Sequence, residues 1–294
     1  MTKDSKAHIA LFVAQVIYAL NYSIAKDLMP DHLKPLTLVL LRITGACILF
    51  WLLSFFTKNE KVEKSDLKKL MLLALFGVVL NQLFFIFGLS ITYPINSAII
   101  MISNPIVVIA FTIIVLKERF TIYKFTGLLL GVLGALTLLL FKGNFVLGSN
   151  TLLGDLFTLI NSISWAVFVV MAKPYMQKYQ TVTVMKWIFL FGFIMVSPFA
   201  ISDFLDTNWL SFNTSVWGAI AFVVIATTFF AYLLNTIGLK ELSPSVVSMY
   251  IYFQPFLATF FAILLGKDEI TPIKIISAVF IITGVYIVNK KVKA

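Results

Sequence analysis

The chain has 294 residues, of which 60% are hydrophobic and only 12% are charged, and its formal net charge is +10. A soluble domain is roughly 45–50% apolar and about 25% charged, so this composition excludes a soluble globular protein. The basic residues lie mainly in short loops between long apolar runs, which favours orientation in a bilayer over nucleic-acid binding.

Ten apolar segments are long enough to cross a bilayer, which takes about 20 residues of helix. In chain order they are 8–27, 36–57, 67–89, 95–116, 122–141, 152–172, 182–202, 214–238, 245–266 and 272–290. The sequence therefore predicts an all-α integral membrane protein with ten transmembrane helices, numbered here as spans one to ten. The single cysteine, Cys47, excludes an internal disulfide or a cysteine metal site.

The distribution of Lys and Arg predicts how the chain is oriented. With the N-terminus inside, the cytoplasmic loops and span ends carry 16 basic residues and the outer ones carry 5. Because cytoplasmic loops are enriched in Lys and Arg, we expect both termini in the cytoplasm and the protein in the cell (inner) membrane. The first apolar segment lacks a small-residue cleavage site, so we expect a retained helix rather than a signal peptide.

One long stretch of the sequence is repeated in its pattern of residues. Residues 88–121 recur 150 positions later as residues 238–271, without a gap. The coinciding positions are Gly88/Gly238, Leu89/Leu239, Pro94/Pro244, Pro105/Pro255, Phe111/Phe261, Ile113/Ile263, Lys117/Lys267 and Thr121/Thr271. Spans one and six also match, at an offset of 147. This pattern predicts two repeats, 1–145 and 146–294.

The number of spans in each repeat gives the duplication a physical consequence. Five spans is an odd number, so the second repeat must enter the membrane upside down relative to the first. Inverted repeats recur in secondary transporters, whose substrate sites lie near the midplane where the repeats meet. We therefore expect alternating access between the two halves.

Two segments, SAIIMISNPIVVIAFTIIVLKERFT and FTGLLLGVLGALTLLL, resemble the EamA branch of the drug/metabolite transporter superfamily. The resemblance implies ten spans in two repeats, a proline midway along spans four and nine, and transport of amino acids, other metabolites or drugs. It also matches Arg42 and the acidic residue before a Thr, which is Glu118 in the first repeat. The second repeat departs from the pattern, because Lys267 precedes Asp268 and Glu269.

Polar and aromatic residues inside apolar spans predict the substrate pathway. Such residues are costly in hydrocarbon and tend to face a cavity or a helix partner. They form stripes on spans one, three, four, six, eight and nine, which suggests a central pathway with the other four spans at the periphery. The candidates are Tyr18, Asn21, Asn81, Gln82, Phe85, Asn96, Ser97, Asn104, Trp165, Thr228, Tyr232, Asn235, Ser248, Tyr252 and Gln254. The alternative for each amide is a hydrogen bond between helices.

Five further residues receive separate predictions. Pro105 and Pro255 lie mid-span, where each removes a backbone hydrogen bond, so we expect hinges there. Arg42 and Lys186 lie within spans two and seven. Each either snorkels or pairs with a lipid phosphate or a substrate carboxylate. Glu118, at the cytoplasmic end of span four, is either part of a solvated ion-pair cluster or a gate contact.

Motifs typical of enzymes and of cofactor sites are missing from the sequence. It contains no nucleophile–base set, P-loop or dinucleotide fingerprint, so we expect no enzyme activity, no cofactor and no metal.

No Asp or Glu lies near the middle of a span, and Asp155, close to the start of span six, comes nearest. A proton relay usually needs a buried carboxylate or histidine. We therefore expect facilitated transport, or proton coupling only through end groups such as Glu118 and Asp155.

Taken together, these features predict a secondary transporter of small metabolites such as neutral or aromatic amino acids. Export is the direction that the resemblance implies. The alternatives are a carrier of sugar phosphates or nucleotide sugars and a non-transporting receptor or scaffold. The expected partners are a small-molecule substrate and the lipid bilayer, with no nucleic acid. Gly127 and Gly131 form a small-residue face that serves either packing within the chain or a dimer contact, so we expect a monomer or a weak homodimer.

Overall fold

The computed structural model describes residues 2–29, 31–58, 60–140, 151–264 and 271–288, and within these ranges it contains helices and no strands. In chain order the α-helices are α1 Lys3–Asp27, α2 Pro35–Ser54, α3 Lys64–Ala74, α4 Asn81–Ile91, α5 Pro94–Met101, α6 Asn104–Val115, α7 Ile122–Leu140, α8 Leu152–Lys178, α9 Thr181–Leu205, α10 Thr214–Ala221, α11 Ala231–Glu241, α12 Pro244–Met249, α13 Phe253–Leu264 and α14 Pro272–Val288. The predicted all-α class is therefore confirmed for the described residues.

Eight helical segments in these ranges are long and apolar enough to cross a membrane. They coincide with the first eight predicted spans, since α3 with α4, α5 with α6 and α10 with α11 each make up one apolar segment. Predicted span nine corresponds to α12 and α13, and predicted span ten to the shorter apolar helix α14. The count of ten spans and their inverted arrangement stay predictions.

Spans three and eight each contain a π-helical segment that the sequence analysis did not predict. The segments are Leu75–Leu80 and Phe222–Phe230. A π-helical turn shifts the backbone pairing by one residue, and such turns are frequent at functional sites. Here carbonyl groups of the segments accept hydrogen bonds from side chains. Phe76 O accepts from Ser164 at 2.6 Å, and Val223 O accepts from Thr228 at 2.8 Å.

Spans four and nine are interrupted just before their mid-span prolines. Helix α5 ends at Met101 and α6 restarts at Asn104, with Pro105 in its first turn. In span nine a 3₁₀ turn, Tyr250–Tyr252, precedes Pro255. The Tyr252 hydroxyl donates to the Ile102 carbonyl at 3.2 Å, which joins one interruption to the other across 150 positions. The expected hinge role stays a prediction.

Helices α7 and α14 approach each other closely enough that only glycine fits at the contact. A β-carbon on Gly134 would lie 2.7 Å from the Ser277 carbonyl oxygen, and one on Gly284 would lie 2.7 Å from that of Gly127. Gly131 faces the Tyr252 ring of the same chain. The small-residue face is thus used for packing within the chain and is not free for a dimer contact. Oligomeric state itself stays a prediction.

Two lysines hold the ends of corresponding helices. The Lys26 ammonium donates to three carbonyl oxygens at the end of α4, at 2.8, 3.0 and 3.1 Å: Leu89, Ser90 and Thr92. The Lys173 ammonium does the same at the end of α11, at 2.8, 3.0 and 2.9 Å: Leu239, Lys240 and Leu242. The last carbonyls of a helix lack backbone donors and carry partial negative charge, so each ammonium satisfies and neutralises them.

Candidate functional site

A cavity lies at the centre of the helix bundle and contains about 630 Å³ of empty space, counted out to its open side. It is lined by α1, α2, α4, α5, α8, α11, α12, α13 and the short turn between the last two. The lining residues are Gln15, Tyr18, Asn21, Tyr22, Arg42, Asn81, Phe85, Met101, Asn161, Trp165, Tyr232, Asn235, Val247, Ile251 and Gln254.

Aromatic rings form much of the wall. The Trp165 ring meets the Tyr232 ring edge to face, with centroids 5.5 Å apart. On the first half of the chain, the Tyr22 and Phe85 rings make a similar contact at 5.7 Å. Both distances fall in the favourable range for aromatic pairs. The rings provide an apolar or aromatic part of a ligand with flat surfaces on two sides.

Hydrogen bonds fix the polar part of the wall. The Tyr232 hydroxyl lies 2.8 Å from Asn81 Oδ1 and 3.0 Å from the Gly77 carbonyl, so its single proton is shared between two acceptors. Asn161 donates through Nδ2 to the Asn81 carbonyl at 2.7 Å. These contacts tie α8 and α11 of the second half to span three of the first half. The cavity wall is therefore built by both halves of the chain.

A second polar contact joins α1 to α13. Gln254 donates through Nε2 to Gln15 Oε1 at 2.7 Å, and both side chains are buried. An amide pair of this kind satisfies one donor and one acceptor that would otherwise face hydrocarbon. It is also a contact between the first and second halves.

Arg42 supplies the positive charge of the cavity. Its side chain is 3% exposed, and its guanidinium carbon lies 5.9 Å from the centre of the Phe85 ring. No Asp or Glu is found among the described residues that line the cavity. Nε and Nη1 of Arg42 have no hydrogen-bond partner in the described part of the chain. The amide oxygens of Asn21 and Asn161 are also unpartnered there.

The structure brings eight of the fifteen predicted pathway residues together around this cavity. They are Tyr18, Asn21, Asn81, Phe85, Trp165, Tyr232, Asn235 and Gln254. Arg42, whose role the sequence left open, lines it too. All six spans that carry polar stripes contribute, and span two adds Arg42.

The other seven predicted pathway residues are buried away from the cavity lining. Five of them make hydrogen bonds within the protein. Ser97 pairs with Thr158 at 3.1 Å, and Asn104 donates to the Ser162 carbonyl at 2.7 Å. Ser248 bonds to a carbonyl of its own helix, and Tyr252 bonds to span four. Thr228 bonds within its π segment. Asn96 and Gln82 are each 1% exposed.

Six of the lining residues are absent from the predicted pathway set. They are Gln15, Tyr22, Met101, Asn161, Val247 and Ile251. A signal was present for three of them, because Gln15 and Asn161 lie one helical turn before Tyr18 and Trp165, and Tyr22 lies one turn after Tyr18, on the same stripes. Val247 and Ile251 carry no polar signal. Their place follows from the path of the broken helix in span nine, which side-chain type does not reveal.

The remaining charged candidates lie outside the cavity. The Lys186 ammonium sits 4.9 Å from the centre of the Trp51 ring, which is a cation–π contact. Glu118 accepts from Lys124 at 2.6 Å and from Ser245, on the second half, at 3.1 Å. Asp155 accepts from the Thr92 hydroxyl at 2.5 Å. Both carboxylates thus join helices at span ends. Asp268 and Glu269 lie outside the described residues.

Comparison with known proteins supplies a family. The profile of the EamA-like transporter family matches residues 5–140 and again 152–290. An uncharacterised transporter from Archaeoglobus fulgidus is 26% identical over 98% of this chain and 99% of its own length. The uncharacterised transporter YyaM from Bacillus subtilis is 25% identical over 96% of this chain and 93% of its own length.

A WAT1-related protein from Arabidopsis thaliana is 25% identical over 92% of this chain and 75% of its own length. One crystal structure aligns with a TM-score of 0.78 at 18% identity, covering 97% of this chain and 96% of that one. At that identity the likeness shows the fold alone.

Proposed function

Since the chain belongs to the EamA-like transporter family, we propose that it is a secondary transporter of small zwitterionic metabolites, such as amino acids, that works by alternating access. The central cavity carries the proposal. It lies within a bundle of apolar helices, and both halves of the chain build its wall. A site shared by two halves can open to either side when the halves rearrange.

The chemistry of the wall supports a small amphipathic solute. Aromatic rings offer apolar surface, while amide groups and one guanidinium offer hydrogen bonds. Pockets of this composition orient a ligand through a few polar groups and bury its remainder against apolar ones. A neutral or aromatic amino acid has both parts.

The mechanism we propose places flexibility in spans four and nine. Both are broken before Pro105 and Pro255, and the two breaks touch through Tyr252 and Ile102. Proline removes a backbone donor at each position, so the helical segments on either side can tilt with little loss of hydrogen bonding. Movement at the breaks would change which side of the cavity is open.

The orientation and energy source belong to the same proposal. The excess of basic residues supports cytoplasmic termini, with the two repeats inverted in the cell membrane as ten spans. Export is supported by the family resemblance. Because the described cavity lining holds no carboxylate, we propose facilitated transport or coupling through Asp155 or Glu118 at the span ends. A strong flux response to an imposed pH gradient that survives loss of both carboxylates would contradict this.

A carrier of sugar phosphates or nucleotide sugars is favoured less. A phosphate dianion calls for two or more convergent cations. Within the described cavity lining Arg42 is the one cationic side chain, and Lys186 is engaged with Trp51 elsewhere. A receptor or scaffold would bind a ligand without moving it, so the test must measure flux.

The test is uptake of a panel of amino acids and small metabolites into sealed proteoliposomes, with and without a pH gradient. Trp165→Ala removes a cavity wall, so we expect saturable flux to fall at least about tenfold. Trp217→Ala is the matched control, because Trp217 is 45% exposed, stacks on Trp209 and is not a lining residue of the cavity. Equal flux in the two variants would discard the cavity as the pathway. Absence of flux for every solute, with folded protein in the vesicles, would contradict the transport function.

A further inference from the structure

Arg42 is a buried cation for which the described chain provides no counter-charge. Burying an ionised group is strongly unfavourable unless it is paired and hydrogen-bonded. Inside membrane segments, arginines therefore usually pair with carboxylates or backbone carbonyls. Arg42 has neither an ion-pair partner among the described residues nor hydrogen bonds to Nε and Nη1 there. Those nitrogens belong to a side chain on the wall of the central cavity.

We propose that Arg42 is the anion subsite of the cavity and binds the carboxylate of the transported solute. This inference rests on the transport function proposed above and defines the substrate class by its carboxylate, which extends it from amino acids to aromatic monocarboxylates. The solute must carry a carboxylate beside an apolar or aromatic group. An ammonium group is permitted but not required.

The choice of a carboxylate over a phosphate follows from charge. A single guanidinium balances a single negative charge, and Arg and carboxylate form strong charge-assisted hydrogen bonds. A phosphate dianion would leave one negative charge uncompensated in a cavity whose described lining has no second cation. A lipid headgroup is excluded as the partner, because Arg42 is 3% exposed and opens into the cavity rather than to the bundle surface.

The surrounding groups fit the rest of such a solute. The Phe85 ring stacks near the guanidinium and, with Tyr22, forms one apolar wall. The Trp165 and Tyr232 rings form the other. Unpartnered Oδ1 atoms of Asn21 and Asn161 can accept hydrogen bonds from an ammonium group. An aromatic amino acid meets all of these groups, whereas an aromatic monocarboxylate meets all but the amide oxygens.

The test compares four probes that share one phenyl ring: L-phenylalanine, 3-phenylpropionate, the neutral 3-phenylpropanamide and the cationic 2-phenylethylamine. Binding to the purified full-length protein is measured by thermal stabilisation and titration. We expect the two carboxylates to bind at least tenfold more tightly than the amide and the amine. Equal affinity across the four probes, or binding by none of them to folded protein, would overturn the proposal.

Variants assign the effect to Arg42. Arg42→Gln should abolish the tenfold preference for carboxylates, and Arg42→Lys should retain part of it. Lys186→Gln is the matched control, since it removes a cation from span seven that does not line the cavity. It should keep the wild-type preference. A preference that survives in Arg42→Gln would place the anion elsewhere and overturn the proposal.

Flux measurements separate this proposal from the function on which it rests. Carboxylate-selective binding that depends on Arg42, without saturable flux in sealed vesicles, would keep the subsite and contradict transport. Saturable flux of the neutral amide that is equal in wild type and Arg42→Gln would keep transport and contradict the subsite.

Discussion

The contacts that hold the helices together repeat between the two halves, whereas the residues that line the cavity do not. Lys26 and Lys173 each bind three carbonyls at the end of a corresponding helix. A β-carbon on Gly134 or on Gly284 would lie at the same distance, 2.7 Å, from a backbone carbonyl oxygen of the opposite helix. We call these contacts the repeated frame. Both halves need them, because helix ends and close helix crossings impose the same backbone requirements wherever they occur.

At nearly every position of the cavity lining, the residue type differs from that at the corresponding position of the other repeat. When the two repeats are aligned at offsets of 147 or 150, the corresponding residues differ in type. The pairs are Tyr18/Trp165, Arg42/Phe189, Gln82/Tyr232 and Phe85/Asn235. Phe189 packs against the Tyr232 ring at 5.3 Å and carries no charge. A small solute with one polar and one apolar end has no twofold symmetry. Under the proposed function, the frame therefore serves the fold and the cavity serves the solute.

The largest expected effect comes from placing a bulky side chain at a glycine contact of the repeated frame. Gly284→Leu places a side chain against the Gly127 carbonyl and the Gly131 backbone, neither of which can move aside easily. We expect a loss of at least about 3 kcal/mol and little folded protein after extraction, as judged by size-exclusion chromatography. Gly218→Leu is the control, because nothing lies within 4 Å of a β-carbon there. Normal yield of the Gly284 variant would show that the α7–α14 contact is not required.

Removal of the lysine contacts tests whether the frame is truly shared. Lys26→Met and Lys173→Met each leave three carbonyls without their charged donor, so each should cost about 2–3 kcal/mol. The measurement is thermal unfolding in detergent. Lys34→Met should cost less than about 1 kcal/mol, because that side chain is 57% exposed and its Asp203 pair is at the surface. A strong loss of stability in one of the two lysine variants and none in the other would show that the two contacts are not equivalent.

The pair Arg42 and Phe189 tests the asymmetry of the cavity. Arg42→Leu removes the cation of the cavity, and we expect carboxylate flux to fall about tenfold, or about 1.4 kcal/mol. Phe189→Leu keeps an apolar group in the corresponding place of span seven and should change flux less than about threefold. The assay is initial uptake rate in proteoliposomes at matched protein density. Similar losses in both variants would mean that the two positions contribute alike.

The smallest effect concerns the amide contact between the halves. A double-mutant cycle on Gln15→Leu and Gln254→Leu should give a coupling of about 0.6 kcal/mol and at most about 1.7, as for other hydrogen bonds between membrane helices. The measurement is again thermal unfolding of the singles and the double. Zero coupling would indicate that the 2.7 Å contact does not stabilise the folded chain.

Much of the fold could be predicted because its signals are local. Apolar runs gave the positions of the helices, and the repeat of prolines marked where spans four and nine are interrupted. The π segments could not be predicted, because residues 75–80 and 222–230 have the composition of any apolar helix. In the first segment, carbonyls are engaged by side chains far away in sequence, Phe76 O by Ser164 and Gly77 O by Tyr232.

The cavity was only partly predictable for a similar reason. Polar stripes show which helix faces avoid lipid, but they do not separate a cavity from a contact between helices. Asn104 and Ser97 are as polar as Asn81 and Asn21, yet the first two bond to α8 away from the cavity lining. The role of Arg42 could not be decided from the sequence, because its position relative to the cavity depends on neighbours that come from both halves of the chain.

The central claim is that this cavity opens alternately to the two sides of the membrane. It is tested by labelling Met101→Cys, on the cavity wall, in a Cys47→Ser background. A membrane-impermeant maleimide is added to right-side-out and to inside-out vesicles. Lys58→Cys and Ser211→Cys, both exposed and predicted to face opposite sides, are one-sided controls. We predict that Met101→Cys is labelled from both sides, with phenylalanine slowing both reactions. Labelling from one side only would contradict alternating access.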